Sequence, residues 1–206
     1  MAPDNRSVGI LGGTFNPPHV GHLALAASAR AQLGLDLVLL MPANIAPNKP
    51  ASQGDPGAER RLRMCELAVA EMSGVQSCAL EIERGGVSYT VDTLQKIHDE
   101  HPDAELTLIL GADTARTLPS WREPRRLLAL ARVAVAERDG LDVSSVRDAL
   151  GDLAGAAEIE ALSMDRIDVS SSQVRELVAD GLPVGELVGS EVARYLAAHH
   201  LYTGGD

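Results

Sequence analysis

Four short apolar runs recur along this chain: Val8 to Leu11, Leu37 to Met41, Leu106 to Leu110 and Val133 to Ala136. Each has the length of a strand, and each is continuously apolar rather than alternating, which suits a strand buried on both faces. Between them, helices are predicted over His22 to Leu33, Glu59 to Met72, Tyr89 to Glu100 and Trp121 to Leu130. In the second of these, Leu62, Cys65, Leu67, Ala68 and Met72 recur at near-helical spacing. Strand and helix in alternation imply an α/β fold with a Rossmann-like, doubly wound, mostly parallel sheet. Such a sheet binds ligands beyond the carboxyl ends of its strands, at a topological switch point. A strand-like run at Glu158 to Leu162, a capped-helix pattern at Val143 to Asp148 and a closing helix over Glu191 to Leu201 complete the pattern. There is no repeat and no linker, so residues 1–206 read as one domain.

Charge narrows the function classes. The formal net charge is -11, which argues against a broad nucleic-acid surface but leaves room for local phosphate-binding cations. No apolar run reaches the roughly 18 residues of a membrane helix, and the N-terminus has no signal pattern, so a cytoplasmic protein is expected. Cys65 and Cys78 have no metal-ligand spacing and read as reduced thiols. The stretch from Pro42 to Ala58, rich in Pro and Gly, reads as a functional or mobile loop.

The run from Gly9 to His22, GILGGTFNPPHVGH, carries most of the chemistry. Gly12 and Gly13 follow the first strand, where glycines let a backbone approach a phosphate and allow positive φ. Thr14 adds a hydroxyl and an amide donor, and Pro17 and Pro18 stiffen the turn. His19 and His22, three apart at a helix start, can face one way, and a helix N-terminus attracts anions. Taken alone, the glycine pair could be a plain turn, and the histidine pair a capped helix start or half a metal site. No third Cys, His or carboxylate ligand stands nearby. Neither the dinucleotide fingerprint nor the P-loop spacing is present.

Gly12 to His22 resembles the GG[TS]F[DN]PxHxGH signature of the nucleotidyltransferase superfamily. Four later stretches resemble motifs of its bacterial nicotinate mononucleotide adenylyltransferases. Pro42 to Lys49 is similar to the Pro-x-x-x-x-Pro-x-Lys loop, with Asn48 where many relatives carry His. Ser88 to Leu94 matches SYTxDTL. Leu110-Gly111-Ala112-Asp113, leading to Leu118-Pro119-Ser120-Trp121, resembles the GxD…W element. Val169 to Arg175 resembles ISSTxIR, at a predicted helix start where Ser171 and Ser172 fit and the Arg175 cation does not unless an anion binds.

The resemblance implies a single nucleotidyltransferase domain, with a second phosphate-binding helix start in the part from about residue 165. It implies that His19, His22, Arg175 and Lys49 act in transfer. ATP would be bound by Gly12, Gly13, Thr14, His19, His22, Gly111, Asp113, Ser171, Ser172 and Arg175. Nicotinate mononucleotide would meet Gly13, Thr14, Lys49, Thr90, Leu118 and Trp121. Mg²⁺ would accompany ATP as cofactor, without protein side chains as ligands. Arg60, Arg61, Arg125 and Arg126 read as solvated helix faces. The expected partners are the two substrates, with neither nucleic acid nor membrane, and homo-oligomerisation is open. At this stage three alternatives stand beside that activity. They are a nicotinamide mononucleotide acceptor, a phosphopantetheine acceptor, and a nucleotide sensor without catalysis.

Overall fold

The computed structural model describes residues 7–47, 54–136, 143–156, 158–165 and 167–204. In chain order its elements are β1 (Ser7–Gly13), α1 (Val20–Leu33), β2 (Leu37–Pro42), α2 (Ala58–Val69), β3 (Val75–Ser77) and α3 (Leu80–Arg84). There follow α4 (Thr90–Glu100), β4 (Glu105–Gly111), α5 (Ala112–Ala115), a 3-10 turn at Leu118–Ser120, α6 (Pro124–Leu130) and β5 (Arg132–Ala136). The chain ends with α7 (Val143–Leu150), a 3-10 segment at Gly151–Ala156, β6 (Ile159–Leu162), α8 (Ser171–Ala179), α9 (Gly185–Val188) and α10 (Ser190–Ala198).

Six strands form a single sheet in the order β3-β2-β1-β4-β5-β6. The pairs β1/β4, β4/β5 and β5/β6 are parallel. Strand order reverses between β1 and β4, which is the doubly wound arrangement and puts the switch point there. The expected Rossmann-like α/β fold is therefore the observed one. Every apolar run became a strand. Only β3, three residues long, had no expectation, because so short a strand has no readable period.

By its internal contacts the chain divides into two compact units. One draws on residues 1–12, 25–39 and 89–166. Its parallel strands bury Leu108, Ile109, Val133, Ala134 and Val135 almost completely, as expected where helices cover both faces. The other draws on residues 13–24, 40–88 and 167–206. Its core gathers Met64 of α2 with Val174, Val188, Val192, Leu196 and Leu201.

The stripe of α2 is rotated from its expected position. Its buried residues are Arg61, Met64, Cys65 and Val69, whereas Leu62 and Leu67 are only half-buried and Met72 lies past the helix end. No described helix is long and apolar enough to cross a membrane.

Candidate active site

The turn after β1 is held by its neighbours rather than by glycine freedom. Both Gly12 and Gly13 are still strand, and neither has positive φ; Phe15 takes the left-handed conformation instead, at φ 50°. This corrects the expectation that the glycine pair uses positive φ. Gly13 matters for the room it leaves its neighbour. A Cβ there would lie 3.1–3.3 Å from the buried Phe15 ring. At Gly12 and Gly111, the carboxyl ends of β1 and β4, an added Cβ would meet nothing within 4 Å. The strand ends flanking the switch point thus face open space, where a ligand can approach backbone.

The carbonyls of this turn are drawn to protein donors. Gly13 O accepts from the Ala43 amide at 2.9 Å, and Thr14 O from Arg61 Nη1 at 2.9 Å. Asn16 O accepts from Arg175 Nη1 at 2.8 Å, and Pro17 O from Ser171 Oγ at 2.8 Å. A turn that sits beside a polyphosphate cannot aim its carbonyl oxygens at it. Here four are already bound elsewhere.

His19 and His22 come together. The His19 carbonyl accepts from the amides of His22 (2.9 Å) and Leu23 (3.3 Å), which makes His19 the capping residue of α1. His22 Nδ1 accepts from the His19 amide at 3.3 Å, so a neutral His22 carries its proton on Nε2 and can donate from there. The two rings stack with centroids 3.7 Å apart, and Phe15 sets its ring edgewise to His22 at 4.9 Å. Gly21 completes the packing. A Cβ there would press within 3.1–3.2 Å of the His19 ring and of Val169.

Helix α8 brings the late motif to the same turn. Its cap is Ser170, whose side chain accepts from the Gln173 amide at 3.1 Å; Ser171 and Ser172, expected at the helix start, are the first two helical residues. Ser172 Oγ accepts from Arg175 Nη2 at 3.1 Å. Arg175 falls in the second turn of α8, and its fork spans Asn16 O and Ser172 Oγ. Residues 159 apart in sequence are thereby joined. Lys49 and Asn48 lie outside the described residues.

Two residues of this unit, Arg61 and Tyr202, stand outside the motifs that the sequence singles out. Arg61 is 3% exposed, which overturns its assignment to a solvated face; Arg60, Arg125 and Arg126 are exposed, as that assignment requires. Its guanidinium replaces water with backbone carbonyls and a carboxylate, the only terms on which a charge is buried. Tyr202, which follows α10, donates its hydroxyl to Asn16 Oδ1 at 2.6 Å. Burial, and after it the Asp55 carboxylate, push the Tyr202 phenol well above its ordinary value. Burial pushes the Cys65 thiol up in the same way.

Both groups keep their protons in the folded state at pH values where the unfolded chain loses them. Stability is therefore undiminished below the unfolded values and falls as pH rises past about 8.5 for Cys65 and about 10 for Tyr202. Each contributes a slope approaching about 1.4 kcal/mol per pH unit. Urea midpoints across this range test it. Tyr202→Phe should flatten the loss above about pH 10, and an unchanged slope would contradict the assignment.

The other unit places Thr90, Gly111, Asp113, Leu118 and Trp121. Thr90 is the first residue of α4, and its cap position is Tyr89, so Thr90 itself caps nothing. Gly111 ends β4, and exposed Asp113 stands in the first turn of α5. Leu118 is fully buried, so any part it takes in binding falls to its main chain. Trp121 is half-buried, and its Nε1 donates to Thr117 Oγ1 at 2.9 Å. Thr117 Oγ1 in turn donates to Thr114 O at 2.7 Å, which orients the indole. Next to it, Arg122 lies over the Tyr89 ring at 4.7 Å and pairs with Asp92 at 3.3 Å.

A family described as cytidylyltransferase-like matches residues 10–177. A probable nicotinate-nucleotide adenylyltransferase of Herpetosiphon aurantiacus is 41% identical over 199 residues, covering 96% of this chain and 98% of its own. One of the same description from Roseiflexus sp. is 42% identical over 197 residues, covering 95% and 97%. Among solved structures, Plasmodium falciparum nicotinic acid mononucleotide adenylyltransferase complexed with NaAD superposes with a TM-score of 0.77. It is 16% identical and covers 96% of this chain and 97% of its own, so it speaks for the fold. With its ordered motifs, its doubly wound sheet and these relatives, the chain belongs to the cytidylyltransferase-like nucleotidyltransferases, in the family of nicotinate-nucleotide adenylyltransferases.

Proposed function

We propose that the protein transfers the adenylyl group of ATP to nicotinate mononucleotide, giving deamido-NAD and pyrophosphate in NAD biosynthesis. The observation that carries the chemistry is the meeting of two distant motifs on one turn. His19 and His22 stack beside it, and Arg175 bonds to Asn16 O at 2.8 Å. The acceptor follows from the relatives of 41% and 42% identity over nearly the whole chain.

A phosphate oxygen of the mononucleotide forms a bond to the α-phosphorus of ATP. The bond from that phosphorus to the bridging oxygen breaks, and pyrophosphate leaves with the electron pair. The nucleophile is already ionised at neutral pH, so no general base is needed. Catalysis consists of alignment and charge neutralisation. His22 and His19 donate to the α-phosphate and its neighbours, Arg175 and Lys49 supply fixed positive charge, and Gly13 and Thr14 give amides. Gly12, Gly111, Asp113, Ser171 and Ser172 complete the ATP site. Thr90, Leu118 and Trp121 hold the mononucleotide.

Mg²⁺ supplies charge neutralisation on the triphosphate. Among the described residues, no group of three or more His, Cys, Asp or Glu is placed for a metal ion. An ion held mainly by phosphate and water fits that donor set. The family match from 10 to 177 runs through segments of both compact units, which supports one nucleotidyltransferase domain. Soluble substrates fit a cytoplasmic enzyme.

Turnover of ATP with nicotinate mononucleotide, nicotinamide mononucleotide and phosphopantetheine tests the reading. Pyrophosphate release should be fastest with the first, and release with neither pyridine nucleotide would sink it. Trp121→Ala should raise KM for the mononucleotide about 10-fold, the loss of one aromatic contact, and change KM for ATP little. An equal change in both would contradict its placement.

A further inference from the structure

The most deeply buried charged group described in the molecule is Arg61, and the transfer mechanism does not use it. Its Nε donates to Asp55 Oδ1 at 3.2 Å. Nη1 donates both to Thr14 O at 2.9 Å and to Ala43 O at 2.6 Å. Nη2 donates to Asn44 O at 3.0 Å. Asp55 is itself anchored, accepting from the Gly57 amide at 2.9 Å just before α2 begins.

A single ion pair would satisfy this charge at the surface. Instead the planar fork enters the interior and joins two separate loop segments, the turn after β1 and the chain leaving β2. The second segment is braced in turn. Asn44 donates from its amide to Ser88 Oγ and from Nδ2 to Gly86 O, each at 2.9 Å. Ser88 donates back to Ile45 O at 2.9 Å. The fork therefore ties the turn bearing Thr14 to the strand-like pair at residues 45 and 87. Buried charges of this kind are often neutral for stability, but they specify one geometry.

We propose that Arg61 is a positioning residue for adenylyl transfer. Its fork holds the Thr14 carbonyl turned into the protein and spaces the turn from Ala43 and Asn44, without touching substrate. The inference rests on the activity proposed above. A shift of about 1 Å in a substrate-holding segment costs on the order of 10²-fold in rate. Lysine keeps the charge but cannot span three carbonyls and a carboxylate with one rigid plane.

The test is Arg61→Lys in the full chain, with folding followed by thermal unfolding and ATP affinity by calorimetry. The expected result is a folded protein that binds ATP about as the parent does, with kcat lower by about 10- to 100-fold and KM for ATP little changed. Guanidinium at non-denaturing concentration should raise the kcat of Arg61→Ala. A folded Arg61→Lys with the parent's kcat would overturn the proposal. So would an Arg61→Lys that does not fold, because the residue would then be structural only. The parent enzyme is the control. If it releases no pyrophosphate with nicotinate mononucleotide, the activity reading has failed rather than the role of Arg61.

Discussion

His22→Ala is expected to lower kcat for adenylyl transfer by about 10²- to 10³-fold, or about 2.7–4 kcal/mol, in a protein that still folds. The loss falls mainly in kcat because the charge that His22 meets is greatest during transfer rather than in bound ATP. Structurally the change is small. The ring contributes a stacked contact with His19 and an edge contact with Phe15, together about 1 kcal/mol of stability. Thermal unfolding should therefore drop by only a few degrees. The tautomer strengthens the assignment: with Nδ1 engaged by the His19 amide, the donor is Nε2–H. Purified, folded His22→Ala that turns over near the parent rate would remove His22 from this role.

Arg175→Ala should reduce kcat/KM by about 10²-fold, with part of the loss in KM for ATP. This pattern differs from that of His22. A fixed guanidinium attracts the triphosphate in the ground state as well as the charge that develops later. Removing it also leaves the Asn16 carbonyl without its 2.8 Å donor, which costs stability of about 1–3 kcal/mol. Arg175→Lys should recover ATP affinity better than rate. It keeps the charge but cannot hold Asn16 O and Ser172 Oγ with one fork. Unchanged KM for ATP and unchanged kcat in Arg175→Ala would rule out a triphosphate role.

The motif positions were readable because each carries a local reason. His19 and His22 stand at a helix start, and Gly111 ends an apolar strand. At Gly21 and Gly13 an added Cβ would crowd the His19 and Phe15 rings, close by in sequence. Arg61 shows where reading residue types misleads. Counting back three and four from Met64 and Cys65 lands on Arg61, inside the buried stripe of α2. The apolar stripe read from the sequence, Leu62, Cys65, Leu67, Ala68 and Met72, left Arg61 out, and its charge suggested solvent. Only the tertiary structure supplies the three carbonyls and the carboxylate that make burial of that charge tolerable. Tyr202 had no periodic or motif signal at all. Its partner, Asn16, is 186 residues away.

From sequence alone came the alternation that makes a doubly wound sheet, because burial on both faces writes itself as continuous apolar runs. The ordered motifs came from it too, because helix starts and glycine turns are local. What only the tertiary structure decided is how the turn after β1 is held. Its carbonyls are taken up by Ala43, Arg61, Ser171 and Arg175. Those partners come from three distant stretches of chain. A hydrogen bond depends on where atoms meet in space, and spacing along a sequence does not encode that meeting.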